Sequence, residues 1–149
     1  MMKTRGRWII DASVALKWYL RDELYITQAD ALYKTFSVGE AEFLAPSFIR
    51  YELANALLIA SKRGRISFDT AREQLQDFLA LAIHQAEDDN GLVNSAVELA
   101  SSFDIAVYDA LYLALARQSG NSFVTADGQL YAKVRDTFSH AIWIEDIQV

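Results

Sequence analysis

The sequence predicts an α/β fold built on an open, parallel sheet. Three observations predict it. Short apolar runs of strand length alternate with longer stretches whose apolar residues recur at helical spacing. Two of the short runs stop near an acid, at Asp11 and Asp127, and the C-terminal ends of parallel strands are where such folds gather ligands. The 149 residues are 52% hydrophobic with one proline and six glycines, enough for one sizeable core and too little loop composition for a linker. A single domain over residues 1–149 is therefore expected.

The elements follow in order. Trp8-Ile9-Ile10 has the length of a buried strand and stops at Asp11. Ala12 to Leu20 reads as a helix with Ser13 at its N-cap. Asp22 or Thr27 opens the next helix, which runs to about Phe36 and is closed by Gly39. Glu42 to Ala45 is a second strand. Pro46 and Ser47 lead into a long helix from Phe48 to about Arg63, where Ile49, Leu53, Ala56, Leu57 and Ala60 recur at helical spacing and Gly64 is the stop. Ser67 caps a further helix to about Ala82, with acids in its first two turns. Ile83 to Ala86 reads as a short strand and Asn90 to Phe103 as a helix. Val107 to Ser119 is a helix apolar on most sides, ended by Gly120. Ser122 to Val124 is a strand that ends in Thr125-Ala126-Asp127. Gly128 to Arg135 gives a short helix and Ala141 to Ile144 a last strand.

Composition removes several function classes. With no cysteine there are no disulfides, thiolate metal sites or thiol nucleophiles, which fits a reducing cytoplasm. The basic start of the chain resembles the front of an export signal, but Asp11 and Lys17 interrupt the apolar run, so neither a signal nor a membrane span is expected. The net charge of −6 has the wrong sign for a nucleic-acid binder. If four of the acids serve one site, the remaining surface is only mildly acidic, and local basic groups can still hold a phosphate backbone. His84 and His140 lack the spacing of metal ligands. Lys62, Arg63 and Arg65 read as solvated charges at a helix end. Trp18, Tyr19 and Leu20 read as core, or with Tyr25 as a groove for a partner helix.

The chemistry lies in the acids. Asp109 sits in the first turn of a helix apolar on most sides, and a carboxylate there is costly unless a cap, a cation or a metal neutralises it. Asp11, Glu52 and Asp127 have similarly apolar settings. Four clustered carboxylates repel one another, and a hard divalent ion resolves the repulsion. Mg²⁺ or Mn²⁺ prefers oxygen ligands, keeps several waters and stabilises charge on a phosphoryl group, which suggests phosphodiester hydrolysis. Each acid also has a plainer reading. Asp109 complements a helix dipole, Asp11 is a turn or cap residue, Glu52 is a solvated helix acid, and Asp127-Gly128 is a turn. Asn55, three residues after Glu52, either bonds to a metal-ligating acid or satisfies a helix face.

The stretches IIDASVALKWYL, PSFIRYELANALL, VYDALYLALA and FVTADGQLYAKV resemble the ordered motifs of the PIN-domain nucleases, most nearly the VapC-like ribonuclease toxins of toxin–antitoxin pairs. The resemblance covers almost the whole chain. It implies a three-layer α/β/α fold with a central, mostly parallel, roughly five-stranded sheet, and a metal-dependent endoribonuclease. Asp11, Glu52, Asp109 and Asp127 match the family's four acids in order. Asp11 and Asp109 are implied as direct ligands of Mg²⁺ or Mn²⁺. Glu52 and Asp127 are implied as ligands of a second ion or as groups that activate the attacking water. Ser13 and Thr125 match hydroxyls near the scissile phosphate. An RNA substrate, a cognate antitoxin and a homodimer are implied as partners. One departure is Ala106, where the family often has Ser or Thr; the missing cap costs about 1 kcal/mol unless Asp104 replaces it. Two other readings stay open. A phosphatase with a strand-end Asp nucleophile generally needs a second Asp where this chain has Ser13. A non-catalytic RNA- or protein-binding module gains little from four repelling carboxylates.

Overall fold

The computed structural model describes residues 2–87 and 89–149. Its strands are β1 (Gly6–Ile10), β2 (Ala41–Pro46), β3 (His84–Ala86), β4 (Ser122–Thr125) and β5 (Ala141–Trp143). They form one sheet in the order β3-β2-β1-β4-β5, and every neighbouring pair is parallel. The helices are α1 (Ala12–Ala15), α2 (Ile26–Ser37), α3 (Ile49–Lys62), α4 (Phe68–Leu79), α5 (Asn90–Phe103), α6 (Val107–Ser119) and α7 (Gly128–Val134). They cover both faces of the sheet, giving three layers, as expected.

The strand order fixes where a site can lie. From β1 the chain moves outward to β2 and β3, then returns across the sheet to β4 and β5. The order therefore reverses between β1 and β4, and a crevice opens outside their C-terminal ends. Asp11 directly follows β1. Its N–H donates to the Val124 carbonyl of β4, and Ile10 stands in register with Val124. The sheet is buried on both faces, so β1 reads as a continuous apolar run, with Trp8, Ile9 and Ile10 all in the core. Helix α6 lies against β1, β2 and β4, which explains an apolar surface nearly all round: Ala110 and every residue from Tyr112 to Ala116 are buried.

Four local expectations are corrected. The first helix is a single turn, α1, followed by a 3₁₀ segment Leu16–Trp18. Trp18 explains the early ending: its ring stacks on Phe43 at 5.6 Å and its Nε1–H donates to the Ala29 carbonyl. Ser13 is not the N-cap. Asp11 is, through an extended backbone whose carbonyl accepts from Val14 and Ala15. The second helix opens at Ile26, not at Asp22 or Thr27, because Asp22 is held by Arg65 at 2.6 Å and the cap falls on Tyr25 at φ 61°. Asp104 does not cap α6; it closes α5 in the left-handed region, φ 53°.

Ala106 is the N-cap of α6, with an extended backbone and no side-chain bond to the helix. A hydroxyl placed there meets an unpaired N–H of the first turn. Ala106→Ser is therefore expected to stabilise the fold by about 1 kcal/mol in urea unfolding. By contrast Ser67 caps α4 as expected, accepting from the Thr70 N–H at 3.0 Å.

No single helix among the described residues is long and apolar enough to cross a membrane. Helices α5 and α6 reach the length only together, and the chain bends by 113° between them.

Candidate active site

The four acids arrive by four routes at the same end of the sheet. Asp11 leaves β1 as the N-cap of α1. Glu52 stands in the first turn of α3, three residues after Ile49 and shortly after the end of β2. Asp109 stands in the first turn of α6, and Asp127 follows β4 as the N-cap of α7. A helix N-terminus is electropositive, so each acid sits where the backbone tolerates negative charge. For Asp11, Glu52 and Asp127 the local sequence is an apolar strand and a short step into a helix, whereas Asp109 follows α5 through the turn at 104–106.

Asp11 is buried and tightly held. Its side chain makes no bond to its own helix. Instead Oδ2 accepts from the Ser13 hydroxyl at 2.7 Å and from the Thr125 hydroxyl at 2.6 Å. The same two hydroxyls bind the β4–α7 turn. Ser13 Oγ accepts from the Ala126 N–H at 2.9 Å, and Thr125 Oγ1 accepts from the Asp127 N–H at 3.0 Å. Burial raises the Asp11 carboxyl from 3.8 to about 6. The two hydroxyls oppose this, and the charges of Asp109 and Asp127 add to it.

Glu52 is half-buried. Its Oε1 accepts from the Tyr112 hydroxyl at 2.7 Å. Burial raises it from 4.5 to about 7, with Asp11 and Asp109 adding repulsion. Asp109 is half-buried and has no hydrogen-bond or ion-pair partner among the described residues; burial raises its carboxyl, and Asp127 adds to the shift. Asp127 uses Oδ1 as the cap of α7, accepting from Gln129 and Leu130 N–H at 3.1 Å each. Its turn role and its place beside Asp109 coexist. These mutual repulsions link all four acids into one electrostatic group.

No lysine or arginine forms an ion pair with any of the four among the described residues. Nor do three acidic or histidine side chains there stand as a ready-made ion cage. Asp109 and Asp127 line an open hollow of about 350 Å³ together with Asp104, Gln129 and Lys133. Lys133 Nζ donates to the Asp104 carbonyl at 2.6 Å and is the cation lining that hollow.

The remaining expected residues divide. Ser13 and Thr125 are both at the acids, but Thr125 is fully buried with its hydroxyl committed to Asp11, so it presents no surface to a substrate. Asn55 is exposed and makes no hydrogen bond to an acid among the described residues, although it lines a hollow with Glu52. Tyr112 was missed. It is fully buried, its aliphatic neighbours made it read as core, and its hydroxyl nonetheless holds Glu52. The available signal was its position three residues after Asp109, on a neighbouring helix face.

Comparisons with known proteins agree with this fold. A PIN domain model matches residues 8–136, which include all four acids. The chain is 30% identical over 129 residues to Ribonuclease VapC3 of Pyrobaculum aerophilum, covering 84% of this chain and 92% of that protein. Among solved structures, PAE2754 from Pyrobaculum aerophilum superposes with a TM-score of 0.69 at 26% identity, over 94% of this chain and 90% of that one. VapBC2 from Rickettsia felis, solved with a DNA fragment from its promoter, shares the fold with a TM-score of 0.63 at 12% identity, over 92% and 96% of the two chains. A five-stranded parallel sheet with its acids at the switch point, matched along most of its length, places this chain in the PIN domain family.

Proposed function

We propose that this chain is a metal-dependent endoribonuclease that hydrolyses RNA phosphodiester bonds and serves as the toxin of a toxin–antitoxin pair. One observation carries the reading: four acids stand at the starts of helices around the switch point, and no lysine or arginine among the described residues pairs with them. Their donors are all hard oxygens, the set that suits Mg²⁺ or Mn²⁺. Asp11 and Asp109 would hold the ion directly, with Glu52 and Asp127 at a second ion or at the attacking water. Such an ion lowers the pKa of bound water and offsets charge on phosphoryl oxygens.

The chain's own residues supply the rest. Ser13 and Thr125 fix the Asp11 carboxylate and tie it to the turn that carries Asp127. Tyr112 fixes one oxygen of Glu52 and leaves Oε2 to accept a proton from water. Lys133, facing the hollow of Asp109 and Asp127, is placed to hold a substrate phosphate.

Purified protein is expected to cleave RNA with Mg²⁺ or Mn²⁺, to stop in EDTA and to resume when the ion is restored. Turnover of small phosphomonoesters with RNA left intact would replace this reading by a phosphatase. RNA affinity with no calorimetric Mg²⁺ or Mn²⁺ binding would replace it by a binding module. The name of the VapC3 relative and the VapBC2 neighbour support an antitoxin partner and, with the cysteine-free composition, a cytoplasmic setting. A homodimer is part of the same proposal and is read out by sedimentation. Growth arrest on induction, relieved by a small protein encoded in the adjacent gene, is the expected cellular result.

A further inference from the structure

Glu52 borders a second hollow, of about 420 Å³, which it shares with Phe48, Tyr51, Asn55 and Tyr108. Two features set this hollow apart. Tyr51 and Tyr108 are 70% and 68% exposed, so neither ring is spent on the core. Each also directly precedes an acid: Tyr51 before Glu52 in the first turn of α3, and Tyr108 before Asp109 in the first turn of α6. The Tyr108 ring is fixed relative to Glu52 through Phe48. Its ring meets Tyr108 edge-on at 5.8 Å and Tyr112 edge-on at 5.5 Å, and Tyr112 holds Glu52. The Arg50 guanidinium lies 5.6 Å from the centre of the Tyr51 ring, a cation at this edge of an acidic chain.

From this arrangement we infer a nucleobase subsite: Tyr51 and Tyr108 stack a base of the RNA beside the bond that the acids cut. Single-stranded RNA is recognised largely by stacking unpaired bases on aromatic rings, and every base offers a π-face. Arg50 adds a flat cation that favours the adjoining phosphates. Asn55, exposed and without a hydrogen bond among the described residues, carries both a donor and acceptors for a base edge. A packed protein helix would have to desolvate Glu52 and Asn55 at the hollow's lining, whereas a base meets them with polar groups of its own. The inference rests on reading the acids as a phosphodiester-cleaving centre.

The test compares binding of a short single-stranded RNA with that of an abasic ribose-phosphate strand of equal length. Fluorescence anisotropy in EDTA reads binding without cleavage. The wild-type chain is expected to prefer the base-bearing strand by at least about tenfold. Tyr51→Ala and Tyr108→Ala should each remove most of that preference and leave the abasic strand's affinity unchanged, while Tyr51→Phe keeps it. Both positions are exposed, so circular dichroism should show the variants folded. Equal affinity for the two strands, or no binding of either, overturns the subsite. So do alanine variants that bind RNA normally but lose self-association or a protein partner. If the wild type still cleaves RNA with Mn²⁺ in those cases, the active-site reading stands and only the subsite falls. Ring-dependent base binding without any cleavage would do the reverse.

Discussion

Replacing Asp11 by asparagine is expected to slow RNA cleavage by about a thousandfold, a barrier increase of about 4 kcal/mol, while leaving the fold intact. The local geometry explains both halves. Ser13 and Thr125 donate to one oxygen, Oδ2, and an asparagine carbonyl can take that place and keep both bonds. The amide then points its N–H groups where the second carboxylate oxygen was, toward a region made negative by Asp109 and Asp127. What is lost is a charged ligand at the centre of the acid set. What is relieved is a buried charge whose burial is the main cause of its raised pKa. Asp11→Asn should therefore melt higher than wild type in EDTA at neutral pH, and should lose the melting shift that Mg²⁺ or Mn²⁺ gives the wild type. Gel assays of cleavage and melts with and without ion check the two halves separately. Cleavage at the wild-type rate by a folded variant would remove Asp11 from the mechanism.

The sequence reports local patterns well and cross-chain contacts poorly, and the difference shows residue by residue. Strand positions were readable because β1 and β4 are apolar on both faces, and the end of such a run is visible as Asp11 or Thr125-Ala126-Asp127. Helices α3, α5 and α6 were readable from period and from glycine or polar stops. The short first helix was not, because its end is set by Trp18 stacking on Phe43, a contact between residues 25 apart in the chain. The role of Ser13 was misread for the same reason. A serine after a strand looks like a cap, and only the approach of residues 125 and 126 turns its hydroxyl into a link between Asp11 and the next turn. Tyr112 was not legible as a partner of Glu52, because an aromatic residue in so apolar a helix is usually core, and the sequence alone gives no sign that Tyr51 and Tyr108 border one hollow. Burial separates them: Tyr112 is inside with its hydroxyl on an acid, and the other two are outside.

The metal-free protein is expected to lose stability as the pH rises from about 4 to 7, opposite to ordinary acid denaturation. Asp11 rises on folding from 3.8 to about 6, Glu52 from 4.5 to about 7, and Asp109 rises as well. Within that window the folded state binds more protons than the unfolded chain, so unfolding is favoured by raising the pH. Below the unfolded values both states are protonated and nothing is lost. Above the folded values both are charged and the loss is complete. For Asp11, which is buried, the loss is on the order of 3 kcal/mol. Exposed acids such as Asp22, Asp30 and Glu42, held low by Arg65, Arg21 and Arg7, act in the opposite sense, but only at the bottom of this window and below it. The clean measurement is the difference in unfolding free energy between wild type and Asp11→Asn at successive pH values in EDTA. That difference should widen with pH across the window in favour of the variant. Mn²⁺ favours the ionised carboxylates, so it should close the gap by stabilising the wild type more at pH 7 than at pH 5. A difference that stays flat with pH would mean that Asp11 is as ionised in the fold as in the unfolded chain, and that burial at the switch point imposes no charge penalty for an ion to relieve.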